Sequence, residues 1–241
     1  MPRRERAAML AGLALVCLLA WGYTWHLADD HMAWCRVNTS AWHAADLLAS
    51  FAMWVAMMAA MMVPSVSPMV LAFAEISRAR KDRAMPYVPA AVFLAGYLAA
   101  WTAFSAAATV AQEGLRSAAL LSPEMSTINP WIGRVLLIGA GIFQWTPLKN
   151  ACLRQCRSPL GFLLTEWRDG RGGALRMGWR HGLYCVGCCW LLMALLFVVG
   201  VMNLVWVAAI AGFVIVEKIA PAGLVLGRAA GAVMIACAVY L

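Results

Sequence analysis

The chain has 241 residues, 64% of them hydrophobic and only 12% charged, with a mean hydropathy of +0.77; a soluble domain is about half apolar and about a quarter charged. This balance excludes a water-soluble globular fold, and at about 20 residues per span the length holds six or seven membrane helices and no separate soluble domain. The net charge of +8 calls for no nucleic-acid partner, because basic cytoplasmic loops and their attraction to anionic membrane lipid account for it.

Apolar runs interrupted by charge clusters predict spans near 7–27, 46–74, 87–111, 131–147, 182–201, 203–217 and 222–241. The expected fold is therefore all-α, a polytopic transmembrane helix bundle forming one domain over 1–241. The first run follows a basic start but passes into Trp21, Tyr23 and Trp25 without a small-residue cleavage pattern, so it reads as an uncleaved span. Pro64 and Pro68 interrupt the second, which predicts a broken helix. The loop 148–181 contains Leu160, Phe162, Leu163, Leu164 and Trp167 before a Gly- and Arg-rich stretch, the pattern of a short helix on the membrane surface. Met202 and Asn203 leave only a tight turn between the fifth and sixth runs, which predicts a helical hairpin.

Basic residues set the orientation. Arg3, Arg4 and Arg6, then Arg78, Arg80, Lys81 and Arg83, then seven more from Lys149 to Arg180 alternate onto one side, with Lys218. The other side receives Arg36, Arg116 and Arg134, with Asp29, Asp30, Asp46, Glu113 and Glu124. The amino terminus is thus predicted to be cytoplasmic, in a multi-pass protein of the cytoplasmic membrane.

Soft metal ligands are concentrated in the interior runs. Cys185, Cys188 and Cys189 are related by i,i+3 and i,i+4, which stacks three thiols on one helical face, and Met193 extends that face by a turn. Cys152 and Cys156 share a face by the same spacing and fall at the same cytoplasmic end, where a reducing pool favours metal ligation over a structural disulfide. Lys149, Arg154, Arg157 and Arg180 nearby are expected to lower the pKa of these thiols. In the second span Met53, Met57 and Met61 form one i,i+4 line and Met58 and Met62 another, with Met69 beyond them. A methionine-rich helix alone is ordinary packing. Beside a thiolate cluster it favours Cu(I) over Zn(II). Cys17 and Cys237, isolated in apolar runs, read as small buried residues.

His26, Asp29, Asp30, His31, Cys35 and His43 fall close together before the second span and read as a solvated polar loop rather than a Cu(II) or Zn(II) site. Glu217 and Lys218 lie near the cytoplasmic interface, where Lys218 can snorkel and Glu217 can pair with Arg228 or a loop arginine. Gln144 and Asn203 are expected to cross-link helices.

The segments MWVAMMAAMMVPS (53–65), QWTPLKNACLRQCRSP (144–159), GLYCVGCCWLLMALLFVVGVMNLVWV (182–207) and the Glu217–Lys218 pair together resemble a bacterial family of predicted metal-binding integral membrane proteins, formerly a domain of unknown function. That family is linked to copper supply for a tyrosinase-type copper enzyme. The resemblance covers residues 45 to 241 and implies copper handling, with Cys152, Cys156, Cys185, Cys188 and Cys189 as metal cysteines and Met57, Met58, Met61 and Met62 as an accompanying motif.

The leading expectation is a non-enzymatic membrane protein. It would accept Cu(I) through Cys and Met ligands and deliver it to a copper-dependent enzyme, receive it from a soluble donor, or move it across the membrane. A membrane thiol–disulfide oxidoreductase using Cys185 and Cys188 is the alternative, although CxxC on a membrane helix is not the usual redox setting. A structural subunit holding a cofactor in a membrane complex is the third reading. No Ser/His/Asp set, phosphate loop or paired carboxylates point to a hydrolase or kinase.

Overall fold

A computed structural model describes residues 3–34, 44–81, 88–122 and 125–240. In chain order the elements are α1 (Arg3–Trp34), α2 (Ala44–Lys81), α3 (Ala90–Ser117), α4 (Pro130–Phe143), α5 (Pro147–Arg157), α6 (Pro159–Glu166), α7 (Gly170–Ala194), α8 (Leu196–Val199), α9 (Leu204–Ile219) and α10 (Gly223–Tyr240). The described residues are all-α, apart from an isolated antiparallel bridge between Leu121 and Thr127. Among the described residues four segments are long and apolar enough to cross a membrane, Arg3–Ala28, Ala44–Arg80, Ala90–Ser117 and Gly170–Val199, while Pro130–Phe143 and Gly223–Val239 are shorter apolar helices.

Helix α2 runs unbroken through Pro64 and Pro68, which corrects the expected break. Proline removes the N–H that would bond the carbonyl four residues earlier. Here those carbonyls find other donors: the Ser67 hydroxyl donates to Pro64 O at 2.8 Å, and the Cys17 thiol of α1 donates to Ala60 O at 3.7 Å. Cys17 is thus more than filler.

The segment 148–181 also differs from expectation, because it is helical over most of its length. Thr146 caps α5 by accepting from Lys149 N, and prolines at 147 and 159 start α5 and α6 at the position where a missing N–H is harmless. Phe162 and Leu163 of α6 are buried against the bundle while Leu160 and Leu164 remain exposed, so the helix has an inner face as well as an outer one. Helix α7 begins at Gly170, twelve residues before the predicted span. After α8, Gly200 turns the chain with φ +95° and Asn203 caps α9, accepting from Trp206 N at 3.4 Å. Asn203 therefore ends a loop and does not cross-link helices. Beyond that turn α9 packs chiefly on α2 and only lightly on α7, so the predicted hairpin is splayed.

Two helix pairs are drawn together by glycines. A Cβ at Gly178 would collide with Phe93 O, one at Gly96 with Leu175 O, and one at Gly182 would sit 2.6 Å from Ala100 Cβ, so α3 and α7 touch backbone to backbone. Gly178 and Gly182 are spaced as in the small-residue motif by which helices associate in lipid. On the other side, Gly141 of α4 meets Gly231 of α10 in the same way. The surface is apolar, with Leu164, Val205 and Val239 at 78, 77 and 73% exposure, whereas Gln112, Glu113, Gln144, Lys149, Glu217 and Lys218 are buried.

The start of α1, the end of α2 and the start of α7 lie at one end of the bundle. Glu5 pairs there with Arg78, and Arg80 pairs with Asp169 at 3.0 Å while lying over the Trp167 ring. Of the basic segments predicted to share a side, those at the start of α1, the end of α2 and the start of α7 meet at this end. Arg36, Arg83 and Glu124 lie outside the described residues.

Candidate metal centre

Helices α2 and α7 run antiparallel across the core. At one end the Trp54 and Phe197 rings are 5.4 Å apart; at the other, Lys218 of α9 bridges Ser65 of α2 and Cys185 of α7. Between these levels lie Met57, Met58, Met61 and Met62 on α2 and Cys188, Cys189 and Met193 on α7, all fully buried. Both soft-ligand helices thus contribute to one core layer.

Cys185 is the hub of the thiols. Its sulfur lies 3.0 Å from the Tyr97 hydroxyl and 2.9 Å from Lys218 Nζ, and the thiols of Cys156, Cys188 and Cys189 interact with it. Tyr97 also donates to Met62 O at 3.4 Å, tying the methionine helix to the cysteine level. The Cys188 and Cys189 thiols turn back on the Cys185 carbonyl, at 3.1 and 2.9 Å, because a thiol on a helix reaches the carbonyl three or four residues earlier. Three sulfurs therefore gather around that of Cys185, but among the described residues no three Cys, His, Asp or Glu side chains are arranged to share one ion.

Helix α5 brings in the other two cysteines. Cys152 packs on α7 where Gly187 leaves room, since a Cβ there would lie 2.9 Å from its sulfur. Hydrogen bonding to Cys185 and Cys188 pushes the Cys156 thiol up, and burial together with Cys188 pushes the Cys152 thiol up. This reverses the expected lowering by nearby cations. Three of the four cations are engaged elsewhere: Lys149 with Glu217, Arg157 on the carbonyls of Glu217, Ala220 and Pro221, and Arg180 with Glu166.

Lys149 and Glu217 form an ion pair at 2.7 Å, each only 1% exposed, and Lys149 also donates to Gln144 Oε1. This corrects the expected partner of Glu217. Arg228 lies instead over the Trp145 ring. Glu217 and Lys218 divide their work: one anchors α5 with its cysteines to α9, and the other reaches across the core to Cys185. Lys218 is 7% exposed and does not snorkel.

Residues 51–241 match the family model of PpoB2, described as a copper chaperone. The chain belongs to the PpoB2 copper chaperone family. Its function is accordingly copper-related. No curated protein and no solved structure matches the chain.

In this PpoB2-family chain Tyr97, Lys218 and His181 belong to the centre although sequence spacing did not select them. His181 is buried one helical turn before Cys185, among the rings of Phe93, Tyr97 and Phe162, and its Nδ1 has no hydrogen-bond partner among the described residues. An i−4 relation to a cysteine cluster was the available signal. Of the six His, Asp and Cys residues noted before α2, Cys35 and His43 lie outside the described residues, as do the side chains of Asp29, Asp30 and His31. Cys237 is exposed, contrary to the buried reading.

Proposed function

We propose that this is an integral membrane copper chaperone that takes Cu(I) as cargo on the thiols around Cys185 and passes it on by sulfur-ligand exchange. The observation that carries this reading is the meeting of Cys156, Cys188 and Cys189 at Cys185, beside a methionine-lined core layer, in a member of a copper chaperone family. Thiolates and thioethers suit Cu(I), and an ion held by two sulfurs needs no closed cage of three or four ligands. Cys152, Cys156, Cys185, Cys188, Cys189 and Met193, with Met57, Met58, Met61 and Met62, supply the ligands. Zn(II) fits the thioethers less well. The recipient is a copper-dependent enzyme, and a soluble donor or the bilayer's other face supplies the ion.

The apolar surface and polar interior support insertion in lipid, and the basic end supports a cytoplasmic amino terminus in the bacterial inner membrane. Six or seven crossings follow when α4, α9 and α10 are counted with the four long segments. Exchange with a protein disulfide requires in-line access to a thiol. Cys185 and Cys188 are 1 and 0% exposed, which favours metal over redox chemistry.

Anaerobic titration of the purified full chain with Cu(I) against a chromophoric chelator tests the reading. Near-stoichiometric binding, lost in the Cys185→Ser, Cys188→Ser double variant, is expected. A chain that binds no copper and instead forms a reducible Cys185–Cys188 disulfide contradicts it.

A further inference from the structure

Lys218 is buried in the core, and its partners are a sulfur and a hydroxyl: Cys185 Sγ at 2.9 Å and Ser65 Oγ at 3.1 Å. Its sequence neighbour Glu217 turns away to α5, where Lys149 lies 2.7 Å from one carboxylate oxygen and 3.0 Å from the other, closing a neutral pair. Arg157 is spread over backbone carbonyls at the end of α9. One ammonium thus faces the sulfurs with no carboxylate in ion-pair contact with it among the described residues.

Binding one Cu(I) to two thiols displaces two protons and leaves a dithiolate complex with a single negative charge. A lone charge in a dry interior is strongly disfavoured, and it is tolerated when an opposite charge donates a hydrogen bond to it. We propose that Lys218 is the fixed counter-ion of the metal–thiolate complex and so a specificity-determining residue, favouring a monovalent soft ion held by two thiolates. A divalent ion on the same two thiolates leaves one positive charge in excess beside Lys218 and reaches balance only by recruiting a third thiolate. In the metal-free chain Lys218 and Tyr97 hold the Cys185 sulfur in place for the arriving ion. This inference rests on the copper-binding reading above and adds to it the charge of the cargo that the site accepts.

Ag(I), a monovalent soft ion without redox chemistry, and Cd(II) are the probes, titrated into the detergent-purified full chain. Lys218→Met is expected to weaken Ag(I) binding by about a hundredfold or more, the scale for removing one partner of a buried pair, and to leave Cd(II) binding unchanged or tighter. Parallel loss of both ions, or unchanged Ag(I) affinity, overturns the inference. If Lys218→Met does not fold, Lys218→Arg decides: the retained charge should keep Ag(I) affinity within about threefold, and a folded arginine variant weakened more than about tenfold overturns it. A wild-type chain that binds no Ag(I) removes the copper reading too, whereas wild-type binding indifferent to Lys218 removes only this step.

Discussion

Lys149 shows how much rests on single side chains here. It reaches both Gln144 and Glu217, and through it the cysteine-bearing α5 is fixed to α9. Lys149→Met leaves a carboxylate buried without its partner, and a loss of about 3–5 kcal/mol is expected. Lys149→Met with Glu217→Leu should recover most of that loss, because an apolar pair replaces an ion pair well. Thermal unfolding in detergent, followed by circular dichroism, reads both. At this scale the cysteine triplet was legible because i,i+3 and i,i+4 spacing is a property of one helix. The Lys218–Cys185 and Lys149–Glu217 contacts join residues 33 and 68 positions apart, and nothing in local periodicity encodes them.

Between helices, close approach is set by glycine, and the effect of adding a methyl group differs sharply by site. Gly178→Ala drives a Cβ into Phe93 O and is expected to destabilise the chain by about 1–3 kcal/mol. Gly212→Ala, with open space at its Cβ, should be neutral or slightly stabilising. Melting temperatures of the two variants side by side test the α3–α7 contact. Ser67→Ala removes the donor that replaces the missing Pro68 N–H and should cost about 1 kcal/mol. The prolines announced a break that serine and cysteine donors prevent, and a reading of helix breakers alone does not see donors from a neighbouring turn or helix. Likewise α5 and the early start of α7 were hidden in a charged stretch, because capping and burial against the bundle override its low hydrophobicity, whereas the short helix α6 was legible from its apolar residues.

For the molecule as a whole, helix α2 spans from the Trp54–Gln112 hydrogen bond at 2.7 Å to the Lys218 contact at Ser65, with the buried methionines between. If these thioethers conduct the ion, Met57→Leu with Met61→Leu should abolish copper uptake into sealed proteoliposomes while leaving binding by the cysteines intact. Uptake equal to wild type restricts the methionines to packing. The all-α class was legible from composition and spacing, since long apolar runs satisfy their backbone groups as helices. How the helices cross was not, because it depends on which faces carry glycine and which buried charges meet.

The central claim is that copper is held as Cu(I) by sulfur at the Cys185 hub. X-ray absorption at the copper edge of the loaded full chain tests it most directly. A Cu(I) edge with a sulfur-only first shell, diminished in Cys185→Ser, is the predicted result. A first shell of nitrogen or oxygen, or a sulfur shell unchanged by Cys185→Ser, contradicts it.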